Sequence, residues 1–437
     1  MGRISIDDIT PGMRLENDLI SPNGRFLLER GAVIDEKQLR ILKIWNVPAA
    51  DIQGVSAEEA SASAEAAFSP EILARSADYV DALFRFALED APKPPCPVAD
   101  VMEIFRRLCR RGVAERLCTG NAPPLACPQA EYLDVHGHAQ DEPEPRPVSP
   151  EAMARRECRL ASFPDIYFQI MDVLNNPRSS STHAAEVVSK DTSLTAKLLR
   201  VVNSPFYGFP ARVDSIQRAV TLVGANELSL LSLGVSVVQY FQDIPPSLID
   251  MKRFWKHSIA VGVFSRILAG LKPGLSEERF FLGGMIHDIG RLIILKNYPQ
   301  LAGKTFALAC SKPCLLFEAE REILGFDHAA AAGALLLAWK LPEGLANMVS
   351  LHHAPASPNN RNGVGATILH LADIMARVYS AQSLEAAFVP PLDQEAWSFL
   401  DIEPSVLVPA FHQGSRLIED IYQTFLGQTA PDAEARA

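Results

Sequence analysis

The sequence predicts a mainly all-α fold, a long helical domain preceded by a small β-rich N-terminal module. Three observations carry that expectation. From about Cys158 to Gly427 apolar residues recur at the helical period, and no long β-branched alternating run interrupts them. Residues 1–55 alternate with period two instead, between glycine-containing turns. A proline-rich polar stretch separates the two regions.

The N-terminal module alternates through Arg3-Ile4-Ser5-Ile6, Met13-Arg14-Leu15 and Phe26-Leu27-Leu28. Turn signals fall at Pro11-Gly12 and Asn23-Gly24, and a short helix is expected over Glu36–Trp45. Residues 69–118 read as packing helices, with Tyr79, Leu83, Phe84 and Phe86 at near-helical spacing and the pattern repeated over Val101–Leu108. Residues 119–152 carry Pro123, Pro124, Pro128, Pro143, Pro145, Pro147 and Pro150 among acidic and polar residues. Such a segment buries too little apolar surface to offset its ordering entropy, so it is expected to be a disordered linker. His136 and His138 fall within it and read as solvated. Residues 158–427 form the helical domain and its C-terminal extension, with Ser276 placed to cap a helix whose first turn holds Glu277 and Glu278. The tail after Gln428 is small, polar and expected to be disordered.

Composition narrows the function classes. The formal net charge of -11 gains nothing from counterion release, which disfavours broad nucleic-acid binding. The start, MGRISIDDIT, lacks an apolar h-region. The most apolar stretches, Leu228–Phe241 and Gly333–Trp339, fall short of the roughly 18–20 apolar residues a membrane helix needs. Seven cysteines, without disulfide-framework spacing and without a CxxC pair, fit free thiols in a reducing compartment. The expected location is cytoplasmic, with no membrane association.

Of ten histidines, five fall in a pattern that invites a metal. His257 lies in Trp255-Lys256-His257-Ser258, His287-Asp288 closes the apolar run Phe280–Ile286, and His328 follows Gly325-Phe326-Asp327. His352-His353 ends the apolar run Leu345–Leu351, and Asp373 lies within His370-Leu371-Ala372-Asp373-Ile374. Each group adjoins strongly apolar helical sequence, so the side chains are expected to point inward. Burying that many ionisable groups is costly unless they pair or hold a cation. Imidazole with carboxylate suits Fe, Mn or Zn, and such an ion lowers the pKa of a bound water toward neutrality. Arg291, four residues after His287, is expected on the same helical face as a phosphate contact. His370 is expected to support the ligands or lie on the surface, and Asp373 has Arg377 as an ion-pair partner one turn on.

At these residues the segment from about Ser162 to Arg377 resembles an HDOD domain, a divergent branch of the HD phosphohydrolase superfamily. The motifs run in order: Phe163-Pro164, Lys190–Arg200, Asn203-Ser204-Pro205-Phe206-Tyr207-Gly208, Leu222-Val223-Gly224, the His257 segment, Gly284–Arg291, Glu318–His328, Trp339–Pro342 and His352-His353. The Asn203–Gly208 block reads as a structural corner, since Pro205 restricts Ser204 and Asn203 can turn the chain. Residues 1–55 resemble, more weakly, the small module that precedes such domains in some bacterial signalling proteins.

The resemblance implies metal positions. His257, His287, Asp288 and Asp373 fall on the first-metal positions of the HD pattern. His328, His352 and His353 fall on positions used for further metals in the related HD-GYP phosphodiesterases, which hydrolyse cyclic di-GMP. Two departures bear on activity. Arg291 stands where a lysine is expected, and Ala354-Pro355-Ala356 follows His353, with no acid and no Gly-Tyr-Pro segment. The first expectation is therefore a regulatory output module that acts on partner signalling proteins and holds divalent metal. The second is a metal-dependent phosphohydrolase acting on a cyclic dinucleotide.

Overall fold

The computed structural model describes residues 3–6, 8–20, 26–44, 47, 49–56, 59, 68–89, 96–119, 149–160, 165–175, 180–241, 244, 249–312, 314–357, 363–382 and 388–426. The expected Phe163-Pro164 opening, the stretch 120–148 and the tail after Gln428 lie outside these residues.

The N-terminal module contains β1 (Arg3–Ser5), β2 (Leu19–Ile20), β3 (Phe26–Leu28), α1 (Glu36–Ile44) and β4 (Ala49–Asp51). β1 pairs antiparallel with β4, Ile4 opposite Ala50, and β2 pairs antiparallel with β3. Alternation sends Ile4, Ile6, Leu15, Ile34 and Ile52 into a small core of its own. The module is not free of the rest: Asp8 pairs with Arg111, and the Arg416 guanidinium donates to the Val47 carbonyl at 3.3 Å.

The remainder is helical: α2 (Pro70–Leu83), α3 (Arg85–Glu89), α4 (Pro97–Cys118), α5 (Pro150–Leu160), α6 (Asp165–Asn175), α7 (Ser181–Ser189), α8 (Thr192–Val202), α9 (Ile216–Val223), α10 (Ala225–Tyr240), α11 (Met251–Gly270), α12 (Glu277–Ile286), α13 (Ile289–Asn297), α14 (Pro299–Ser311), α15 (Leu316–Leu324), α16 (His328–Ala338), α17 (Glu343–Ser350), α18 (Gly363–Gln382), α19 (Gln394–Leu400) and α20 (Leu407–Leu426). Two boundaries differ from the sequence reading. Pro150 is the first residue of α5, where a proline lacking an N–H costs nothing, so helix begins inside the expected linker and ahead of residue 158. The helices of residues 70–118 share one continuous core with the rest, through Phe84, Phe105 and Val113.

The two most apolar stretches are buried helices, in α10 and α16, and no single helix among the described residues is long and apolar enough to cross a membrane. The Asn203 corner is as expected. Its side chain accepts from Val213 N at 2.7 Å and donates to Val213 O at 2.8 Å and Leu199 O at 2.6 Å, closing the loop between α8 and α9.

Close helix approach sets up the site. α11 crosses α12 where Gly262 meets Gly284; a Cβ on Gly284 would lie 2.6 Å from Gly262 Cα. α13 passes α16 at Gly290, where a Cβ would overlap the His328 carbonyl oxygen. α5 packs along α16 and plants the fully buried Glu157 carboxylate between Tyr240 Oη (2.7 Å), Lys296 Nζ (2.7 Å) and Asn297 Nδ2 (2.8 Å).

Candidate metal centre

Five elements deliver the seven sequence-predicted ligands to one place. His257 lies in the second turn of α11, and His287 and Asp288 form the junction between α12 and α13. His328 is the first residue of α16, His352 and His353 follow the end of α17, and Asp373 sits mid-way along α18. His287, Asp288 and Asp373 are at most 1% exposed.

Five of the side chains share a pattern: one atom tied to the protein, the other turned inward. His287 Nδ1 donates to Gly284 O at 2.7 Å, and His352 Nδ1 to Val349 O at 2.7 Å. His328 Nδ1 donates to Glu320 Oε2 at 2.6 Å. Asp288 Oδ2 accepts from Arg291 at 3.1 Å, and Asp373 Oδ2 from Arg377 at 3.1 Å. The inner atoms converge. Asp288 Oδ1 lies 3.0 Å from His328 Nε2, 3.3 Å from His287 Nε2 and 4.0 Å from His352 Nε2. Asp373 Oδ1 lies 3.1 Å from His257 Nε2 and 4.0 Å from His287 Nε2. His353 Nε2 lies 2.8 Å from His328 Nε2.

Two ligand groups result, each with its donor atoms within 4.8 Å of one another: His257, His287 and Asp288, and His328, His352 and His353. Asp373 flanks the first group, and Asp288 faces both. Five inner atoms, His257 Nε2, His287 Nε2, His352 Nε2, Asp288 Oδ1 and Asp373 Oδ1, are buried without a well-aligned hydrogen bond. Buried polar atoms are ordinarily satisfied. Orphaned inner atoms behind satisfied outer ones are the arrangement of a site whose missing partner is a cation. The residues fit a divalent metal, and imidazole with carboxylate fits the Fe, Mn or Zn class.

The electrostatics of the cluster are strongly coupled. Burial works against charge on His328, but Glu320 and Asp288 on either side outweigh it and push its pKa up to about 10. Burial, with His287 and His328 opposite, pushes His352 down to about 3. Burial, together with His352 and His328, holds His353 well below the ordinary imidazole value. Burial also lowers His287, against the pull of Asp288 and Asp373. Burial would raise both aspartates, yet each lies well below the carboxylate range, Asp288 through His287 and His328, Asp373 through Arg377 and His257. His287, His352 and His353 are thus held as neutral imidazoles against anionic carboxylates.

Arg291 differs from its sequence-based placement. The chain leaves helical geometry at Asp288 (φ −97°, ψ 4°), so the four-residue spacing from His287 does not put Arg291 on the same face; it folds back on Asp288 instead. His370 is buried rather than superficial, with Nδ1 at 2.8 Å from His352 O and Nε2 at 3.1 Å from Pro391 O. Three supporting residues escaped the sequence reading. Glu320 Oε2 accepts from both the backbone N–H (2.8 Å) and Nδ1 of His328. Asp327 caps α16 through Ala330 N, and Arg321 holds the other Asp327 oxygen at 2.6 Å. Phe317 stacks on the His353 ring at 4.3 Å. A signal for Glu320 was present: it lies four residues from both Leu316 and Leu324, on the apolar stripe of α15.

Comparisons with known proteins agree with this architecture. Residues 160–355 match the HDOD domain family. A structure of an HDOD domain protein of unknown function from Geobacter sulfurreducens superposes with a TM-score of 0.51 at 20% identity, over 63% of this chain and 97% of that one. A structure from Marinobacter aquaeolei VT8, provisionally named a signal transduction protein, superposes with a TM-score of 0.50 at 19% identity, over 72% of each chain. An uncharacterised protein of Treponema pallidum (strain Nichols) is 23% identical over 222 residues, 50% of this chain and 42% of its own length. What the two structures share with this chain is the fold.

Proposed function

Since residues 160–355 are an HDOD domain, we propose that the protein is a signal-transduction output module built around a divalent-metal centre, acting by contact with partner proteins. One observation carries the reading. The ligand set is complete and converges, yet Asp288, the residue both ligand groups face, is closed in by protein and has its outer oxygen occupied by Arg291. A phosphate-handling arginine has to present its guanidinium to substrate. Here that guanidinium compensates a buried carboxylate. Ala354-Pro355-Ala356 also supplies no acid beside His353.

His257, His287, Asp288 and Asp373 would hold one ion, and His328, His352 and His353 a second against Asp288. Bound metal supplies Lewis acidity and a water of lowered pKa. Arg377 and Arg291 orient the carboxylates, and Gly284 O, Val349 O and Glu320 set the ring orientation of His287, His352 and His328. The shared position of Asp288 favours a second reading, a metal-dependent phosphohydrolase acting on a cyclic dinucleotide such as cyclic di-GMP.

Metal analysis of the purified protein, followed by turnover assays with cyclic di-GMP and generic phosphodiesters under Fe, Mn and Mg, separates the two. The output reading expects bound metal and no turnover. Metal-dependent hydrolysis that disappears in His287→Ala and Asp288→Ala would replace it with the second reading.

A further inference from the structure

The two ligand groups are braced by different parts of the chain. The first takes its bracing from its own helices: Asp373 from Arg377 one turn along α18, and His287 from Gly284 O one turn back in α12. The second has less local support: His352 Nδ1 is held by Val349 O at 2.7 Å, three residues back, but His328 has no such bond within its own helix. His328 opens α16, and His352 and His353 lie in the turn after α17. A first-turn residue has no helical turn before it to hold its backbone N–H. That N–H is satisfied by Glu320 Oε2 at 2.8 Å, and the same oxygen takes His328 Nδ1 at 2.6 Å. One carboxylate oxygen thereby fixes the backbone and the ring of His328 together, and turns Nε2 toward Asp288.

On the other side, His370 spans two backbone carbonyls, His352 O at 2.8 Å and Pro391 O at 3.1 Å. A neutral imidazole has one N–H, so His370 donates to one of these carbonyls and packs against the other, between the turn that bears His352 and His353 and the segment after α18. Glu320 and His370 are both buried, and neither lies among the converging donors.

We propose that Glu320 and His370 are positioning residues for the His328–His352–His353 group, and that they make it a metal position separable from the one formed by His257, His287 and Asp373. The proposal rests on the metal reading of the site. Loss of a partner that orients a metal-binding histidine weakens metal binding by about 10–100-fold. Removing Glu320 or His370 therefore weakens the second position and spares the first, which keeps all its ligands.

The test uses the full-length protein, stripped of metal and titrated with Mn²⁺ alone, read by calorimetry and by electron paramagnetic resonance. The wild type is expected to take up two equivalents and to give a spin-coupled pair signal, because Asp288 faces both groups. Glu320→Ala and His370→Ala are each expected to weaken the second equivalent by about 10–100-fold, leaving an uncoupled mononuclear signal and the first equivalent within a few-fold of wild type. Glu320→Gln keeps an acceptor oxygen in the same place, so it is expected to restore most of the second equivalent. That rescue separates positioning from a merely structural role, and Glu320→Gln with His370→Ala decides the matter if Glu320→Ala does not fold. Variants that keep both equivalents at wild-type affinity, or lose both alike, overturn the proposal while leaving the metal reading standing. A wild type that takes up no metal under any condition overturns the metal reading and this proposal with it.

Discussion

Glu157→Gln is expected to destabilise the protein by about 2–3 kcal/mol near neutral pH. The Glu157 side chain is fully buried on α5 and accepts from Tyr240 Oη, Lys296 Nζ and Asn297 Nδ2. Glutamine has the same shape but one acceptor oxygen. If that oxygen serves Tyr240 and Lys296, the amide nitrogen faces Asn297 Nδ2, another donor. Asn297 cannot turn over without giving up its own 3.0 Å bond to Ile293 O. One hydrogen bond is lost outright, and two lose their charge assistance. Lys296 is 40% exposed, so solvent screens part of its share and keeps the figure below the roughly 3–5 kcal/mol of a fully buried broken pair.

The pH dependence carries the same test further. Burial would raise the Glu157 carboxyl, but Lys296, Asn297 and Tyr240 outweigh burial and hold it below its ordinary value of 4.5. A carboxylate depressed in the folded state contributes stability that is complete above the unfolded value and lost as pH falls through the folded one. The gap between wild type and Glu157→Gln is thus wide at about pH 7 and closes as pH falls from the ordinary carboxyl value of 4.5 through the lower folded one. Denaturant unfolding of the metal-free protein across that range measures it. A gap under about 0.5 kcal/mol at neutral pH, or one of constant size across the range, refutes the reasoning.

Two further outcomes follow from the site. Divalent metal at about one hundred times its dissociation constant is expected to stabilise the fold by about 2.7 kcal/mol, seen as a rise in melting temperature that a chelator reverses and that Asp288→Asn abolishes; a melt indifferent to metal counts against the centre. Gly290→Ala places a Cβ against the His328 carbonyl and 2.8 Å from Ala332 N, so α13 and α16 must part, at a cost of about 1–3 kcal/mol with reduced metal content, read by melting and elemental analysis.

Much of this was legible in the sequence because the relevant signals are local. Period-two alternation around Ile4 and Ile6 yields the small module, and the apolar runs beside His287, His352 and Asp373 announce inward-pointing groups. What escaped depends on backbone geometry or on distant pairing. Helical spacing from His287 misplaces Arg291, because the non-helical backbone of Asp288 at the α12–α13 junction redirects it to Asp288. Glu320 is eight residues from His328, across a corner made by Gly325 in the left-handed region (φ 86°), and nothing local announces the bond. Glu157 finds Lys296 and Asn297 across 139 and 140 residues, so its role is invisible until α5 is docked.

The position of Arg291 reconciles the two functional readings better than a choice between them. Asp288 is buried between His287 and His328, and its outer oxygen is held by Arg291. Withdrawing that guanidinium while no other cation is near would leave a buried carboxylate undercompensated, a loss of several kcal/mol. Arg291 therefore becomes available to a phosphate only when a cation on the inner side of Asp288 has taken over its role. The Arg291 side chain is 24% exposed at the edge of the site, so a guanidinium freed from Asp288 would face solvent.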